Sequence, residues 1–160
     1  MQCPLMFRLR TVDRLPEPGS LATHKGTVVH GVLERLYDLP ASERLPQAAL
    51  ELLPSQWASH REKNPEVVDL FEDADHVETW LEEARRLIRT YFTLENPQRL
   101  EPAERELFVQ TETGDGLLLR GFVDRLDVAP DGAMRVVDYK TGRSPGTRFM
   151  EEALFQMRFY

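Results

Sequence analysis

The sequence predicts an α/β domain in which helices flank an antiparallel three-strand meander. Three observations predict it. Residues 121–127 and 136–140 alternate apolar and polar residues on either side of Pro130-Asp131-Gly132, which is strong turn chemistry. Residues 104–111 alternate in the same way and reach residues 117–121 through Gly114-Asp115-Gly116, a second hairpin that shares its later strand with the first. Residues 74–94 place Val77, Trp80, Leu81, Ala84, Leu87, Ile88, Tyr91 and Phe92 at the 3.6-residue period of an amphipathic helix.

A chain of 160 residues is one domain by length, able to bury roughly 70% of its unfolded surface. The expectation is a single domain over 1–160, with a helical segment, 41–103, inside it. No apolar run approaches the ~18 residues of a membrane span, and no secretory signal opens the chain, so the expected compartment is the cytoplasm. The single cysteine, Cys3, excludes an internal disulfide framework and reads as a small buried hydrophobe. The net charge of −7 argues against non-specific nucleic-acid affinity. Its distribution weakens that argument, because residues 41–106 carry 15 acidic against 8 basic side chains and hold the whole excess.

In chain order, Leu15-Pro16-Glu17-Pro18-Gly19-Ser20 is a stiff connector. A helix is expected over 22–39, stopped by Pro40, with Val28, Val29, Val32, Leu33, Leu36 and Tyr37 on its apolar face. Gly26, His30 and Glu34 follow one another at intervals of four and share one stripe. Taken on the helix alone, His30 is a packed histidine with a local partner. The next helix is expected to end near Leu53-Pro54, and an irregular acidic stretch with Asn64-Pro65 follows. Trp57 and Trp80 read as core, and Glu82 with Arg86 as a surface pair on the helix over 74–94. The strands fall at 104–112, 117–128 and 134–140. A loop with Arg143 and a final helix from Thr147 complete the chain.

The second hairpin carries the chemistry. Asp124 and Asp138 are equidistant from Asp131, so a turn centred there sets them directly opposite each other, with Cβ atoms about 4.5–5.5 Å apart. Such carboxylates repel unless a proton or cation lies between them. Lys140 shares their face by strand period. The group is suited to a divalent metal and a phosphate. Gly121-x-x-Asp124-Arg125-x-Asp127 followed by Asp138-Tyr139-Lys140-Thr141-Gly142 resembles the nuclease domain of RecB-family exonucleases, within the PD-(D/E)XK superfamily. Gly26-x-x-x-His30-x-x-x-Glu34 resembles the helix whose histidine reaches the metal in that family, and Gln156-x-x-x-Tyr160 resembles a motif on the helix after the Asp-x-Lys strand. The resemblance covers about 1–40 and 104–160.

The resemblance implies a restriction-endonuclease-like core with a mixed sheet. The chain ends at Tyr160 in mid-helix where relatives continue with another strand, so the C-terminal part of that fold is expected to be missing. It implies a metal-dependent DNA exonuclease of repair and recombination, nucleoid-associated, with a helicase or another repair subunit as partner. Asp124, Asp138 and Lys140 would be catalytic. His30, Asp124, Asp138 and the Tyr139 carbonyl would hold Mg²⁺ or Mn²⁺. Arg125, Arg143, Gln156 and Tyr160 would meet substrate, with a salt bridge to Asp127 or a free surface charge as the plainer role for the arginines. Glu34 would orient the His30 ring or stand as an exposed neighbour. Glu106 matches a glutamate that relatives often carry on the first strand, with an open role. Some relatives place a cysteine at the position of Cys3 as one of four ligands of an iron–sulfur cluster. The other three are absent from the sequence, so no cluster is expected. The alternative from another class is a nuclease-like module that binds nucleic acid or a protein without cutting.

Overall fold

The computed structural model describes residues 3–15 and 19–142. The helix expected from Thr147, together with Arg143, Gln156 and Tyr160, lies outside these residues, as do Pro16, Glu17 and Pro18 of the connector. The described chain is α/β. A helical layer is formed by α2 (Leu21–Leu36), α3 (Pro46–Lys63) and α4 (Ala74–Leu94), with a short α1 (Pro4–Phe7) before them. The sheet of β1 (Glu104–Glu112), β2 (Leu118–Val128) and β3 (Met134–Val137) is antiparallel in the order β1-β2-β3. No helix among the described residues is long and apolar enough to cross a membrane.

Each helix starts where its chemistry allows. Ser20 caps α2, its Oγ accepting from Thr23 N at 3.1 Å, and Asp73 caps α4, accepting from His76 N at 2.7 Å. The end of α2 falls short of the expected Leu39. Asp38 N and Leu39 N bond back to the carbonyls of Arg35 and Leu36, three residues earlier, and Pro40 prevents a further turn. Helix α3 overruns the expected stop at Pro54 by nine residues, to Lys63. Pro54 is solvent-exposed, so water can satisfy the helix carbonyl left without its N–H. Continuing the helix buries Trp57 and His60 on the face that already carries Ala49 and Leu53. Tertiary burial thus outweighs the local break. Trp57 and Trp80 are core residues with ring centroids 4.8 Å apart, as expected, and Trp80 Nε1 donates to Leu21 O at 2.8 Å. Cys3 corrects an expectation: it is exposed, because the turn it opens lies on the surface with Leu5 and Met6 also exposed.

The sheet joins the helices by polar means. The continuous apolar core comes from α2, α3, α4 and Val67, whereas the sheet's buried apolar contribution, among the described residues, is Val123. Beside Val123 stands Arg125, 0% exposed. Its guanidinium bonds Glu95 at 2.8 and 2.9 Å and Asp127 at 3.0 and 3.2 Å. The hydroxyls of Tyr37, Tyr91 and Tyr139 lie 2.9, 3.2 and 2.8 Å from Nη1. One cation therefore ties β2 to the end of α2, the end of α4 and the segment after β3. Burial alone would raise the Glu95 carboxyl, but Arg125 and Arg135 outweigh it and hold the group below its usual range. Arg125→Met should cost about 3–5 kcal/mol in chemical denaturation, because it leaves two carboxylates without their cation. A carboxyl depressed in the folded state lends stability above its unfolded pKa, lost as pH falls through the folded value. Glu95→Gln should therefore flatten the acid limb of the stability curve. Pro54→Ala should raise stability by up to about 3 kcal/mol, since it restores one helical N–H.

Candidate metal centre

The centre forms where α2 crosses the end of the sheet. The register of β2 and β3 is the one expected from a turn about Asp131, with Arg125 opposite Val137 and Val128 opposite Met134. Asp124 is the next residue of β2, but β3 stops at Val137 rather than reaching Lys140. The reason is local. The Asp124 carboxylate accepts the main-chain N–H of Tyr139 at 2.5 Å, so a side chain takes the donor that a longer strand would use. The carbonyl of Tyr139 lies 2.9 Å from His30 Nε2, and His30 Nδ1 lies 3.5 Å from Asp124 Oδ1. Both ring nitrogens of His30 are thus oriented by Asp124 and Tyr139, not by Glu34. Gly26 stands one turn before His30, and a Cβ there would sit 3.0 Å from Thr141 Oγ1. The missing side chain lets the segment after β3 lie against α2.

Glu106 completes the cluster. Potential ligand atoms of His30, Glu106 and Asp124 all lie within 4.8 Å of one another. Glu106 and Asp124 are equidistant from Asp115, the centre of the first turn, so the hairpin arithmetic that pairs Asp124 with Asp138 also pairs Asp124 with Glu106. The ladder bears this out on both sides, with Arg105 opposite Arg125 and Leu107 opposite Val123. Glu106 itself has φ of 47°, a left-handed conformation inside a strand. Such a residue stores about 1–3 kcal/mol and belongs to places where the surroundings enforce it.

The electrostatics are those of a cation site. Burial and the Asp124 charge push Glu106 above its usual range. Burial would raise Asp124 too, but the His30 ring and the Tyr139 N–H hold it below. Burial would lower His30, and the Asp124 carboxylate with the Tyr139 carbonyl outweighs that and raises it. Two opposed carboxylates, an imidazole and a carbonyl suit an oxygen-preferring divalent cation that tolerates one nitrogen.

Asp138 and Lys140 stand beside this cluster. Asp138 Oδ2 lies 2.5 Å from Lys140 Nζ, and both residues line a neighbouring pocket with Val29, Leu33 and Tyr91. Lys140 still acts on Asp124, lowering its pKa through space. Arg125 is where the sequence expectation fails. Its buried guanidinium is filled by Glu95, Asp127 and three tyrosines, so the salt bridge is its role and a phosphate cannot reach it.

The whole chain, residues 1–160, matches the family model of the PD-(D/E)XK nuclease superfamily. The protein belongs to that superfamily. It is also similar to the Gene 69 protein of Mycobacterium phage D29, 26% identical over 175 residues that cover 92% of this chain and 61% of that protein. The chain thus spans about three-fifths of the length of this relative. No solved structure matches it. The α/β fold and the cation-ready cluster agree with a superfamily whose nucleases use divalent metals.

Glu106→Gln gives a double readout. Raised in the folded state, the Glu106 carboxyl makes stability fall as pH rises from its unfolded pKa through the folded value. The amide removes that penalty, so the metal-free variant should be at least as stable as the wild type at neutral pH. Its Mn²⁺ affinity, measured by titration calorimetry, should drop about tenfold or more.

Proposed function

We propose that this chain carries the catalytic core of a metal-dependent deoxyribonuclease, an exonuclease of the RecB type acting in repair and recombination. The observation that carries the reading is the convergence of His30, Glu106, Asp124 and the Tyr139 carbonyl in a member of a nuclease superfamily. In this reading Asp124, His30 and Tyr139 O hold the cation, with Glu106 as the third side chain and Asp138 closing the set from the adjoining segment. Mg²⁺ is the expected physiological ion, and the imidazole inclines the site toward Mn²⁺. A divalent ion held there would lower the pKa of a bound water and polarise the phosphoryl oxygens. Lys140, next to Asp138 and within electrostatic reach of Asp124, positions the attacking water or stabilises charge developing on the phosphate. Arg143 contacts phosphate, and Gln156 and Tyr160 touch substrate or brace Lys140. DNA is the substrate, and a helicase or another repair subunit is the expected partner of the whole protein.

One observation favours a second reading. Asp138 is paired with Lys140 and is not one of the three clustered side chains among the described residues. A nuclease-like module that binds nucleic acid or a protein without cutting would tolerate that pairing. A cleavage assay on labelled DNA with Mn²⁺ separates the two. Asp124→Ala and Asp138→Ala should each abolish cleavage while the fold persists. Lys140→Ala should keep metal affinity and lose about 10²–10³-fold in rate. An Asp138→Ala protein that cuts like the wild type would sink the catalytic assignment.

A further inference from the structure

The segment that follows β3 enters the metal centre without being part of the sheet. The β2–β3 ladder ends at Arg125 and Val137, so strand pairing does not fix the peptide planes beyond it. Tyr139 lies two residues past that end, and three groups that leave its Cα are each held by a different partner. The N–H donates to Asp124 Oδ2 at 2.5 Å. The carbonyl lies 2.9 Å from His30 Nε2. The side chain runs edge-on past the rings of His30 and Tyr91, with centroids 5.8 and 5.7 Å away, and its hydroxyl lies 2.8 Å from Arg125 Nη1. These three partners differ in one respect. Asp124 and His30 belong to the cation-ready cluster, and both must turn their lone pairs to an ion when one enters. Arg125 does not. It is 0% exposed and is fixed by Glu95 and Asp127 whether or not an ion is present.

We infer that Tyr139 is a positioning residue: its phenol, anchored on Arg125, fixes the place of its own carbonyl and thereby sets the affinity of the centre for its cation. The inference rests on the reading of the centre as a cation site, and adds to it a side chain that touches neither ion nor substrate. A carbonyl is a good ligand only where its dipole points at the ion. Adjacent ligands about 2.1 Å from an octahedral Mg²⁺ lie about 3.0 Å from each other. Tyr139 O and His30 Nε2 stand 2.9 Å apart, so the carbonyl occupies the place of a ligand beside His30. Holding it there in advance spares the binding step the ordering of a loose segment. When Asp124 and His30 exchange Tyr139 for the ion, the phenol contact is the hold that remains. Tyr37 supplies an internal comparison. Its hydroxyl lies 2.9 Å from the same arginine nitrogen, but its main chain stands at the end of α2, where its carbonyl accepts from Arg44.

The test compares Tyr139→Phe with Tyr37→Phe in the 160-residue chain. Each variant takes one hydroxyl from Arg125 and keeps the ring that packs around it. Mn²⁺ is titrated by calorimetry, and thermal unfolding in EDTA reports the stability of the metal-free proteins. Tyr139→Phe should bind Mn²⁺ about tenfold or more weakly at unchanged stoichiometry. Tyr37→Phe should lower the melting temperature at least as much, because its hydroxyl also bonds that of Tyr91, and should bind Mn²⁺ with wild-type affinity. A purely structural role for the phenol would move the melting temperature and leave the affinity alone. Tyr139→Phe with wild-type Mn²⁺ affinity would therefore overturn the positioning role and leave the cation site intact. Equal weakening in the two variants would do the same, because it would mark a general loosening of the clamp. A folded wild type that takes up no Mn²⁺ would overturn the cation site and the inference together.

Discussion

The structure depends on one buried guanidinium. The apolar core is made almost wholly by the helices, and the sheet offers Val123 to it. At the partly exposed margin Arg105 of β1 bonds Glu34 O and lies 2.9 Å from Asp38, near the end of α2. Arg125 supplies the buried constraint. It sits on β2 and gathers Tyr37 from the end of α2, Tyr91 and Glu95 from the end of α4, and Tyr139 from the segment after β3. A buried cation demands this company, because an unpaired one costs several kcal/mol. The two carboxylates balance its charge, and Arg135 bridges the same pair from β3, 2.7 Å from Asp127 and 3.1 Å from Glu95.

The clamp and the metal centre share a residue and a strand. Arg125 and Asp124 are neighbours on β2 and point to opposite faces. Tyr139 belongs to both sites: its hydroxyl lies in the clamp, while its N–H binds Asp124 and its carbonyl faces His30. Pulling on the phenol therefore moves the main-chain groups that define the centre. An arginine beside the site thus does mechanical work at a distance from any substrate. In a chain with this motif, Arg125 reads at first as a phosphate contact, and only its burial reveals otherwise.

What the sequence made legible follows the range of the interactions. The hairpin about Asp131 is a local matter of strand period and turn chemistry, and its register was readable to the residue. So was α4, whose apolar stripe needs no partner to be seen. Glu106 was recoverable by the same arithmetic applied about Asp115, but its left-handed backbone leaves no trace in the residue type. The course of α3 through Pro54 was not legible, because the local rule says stop and only the burial of Trp57 and His60 overrides it. The Arg125 clamp was least legible, since Tyr37 stands 88 residues away from it and Tyr91 stands 34 away. Nothing local distinguishes such an arginine from a surface one beside an aspartate.

The net charge of −7 remains to be squared with the polyanionic substrate proposed above. Much of the acidic excess lies in the helical segment, where part of it is already neutralised. On the exposed face of α4, Glu78 and Glu82 bond Arg85, and Glu82 also bonds Arg89, the partner lying one turn beyond the Arg86 that spacing singled out. Glu83 is paired with Lys25 of α2. Exposed charges farther away than about 8–10 Å are largely screened at physiological ionic strength. A phosphate near the centre therefore responds to the local set. Without a cation that set is dominated by Glu106, Asp124 and Glu34, and it repels. A divalent ion would offset most of that charge, and Lys140, next to Asp138, would add a cation beside it. Acidity of the whole chain and attraction of a phosphate at one centre are compatible for this reason, and the same reasoning makes the proposed substrate binding conditional on the metal.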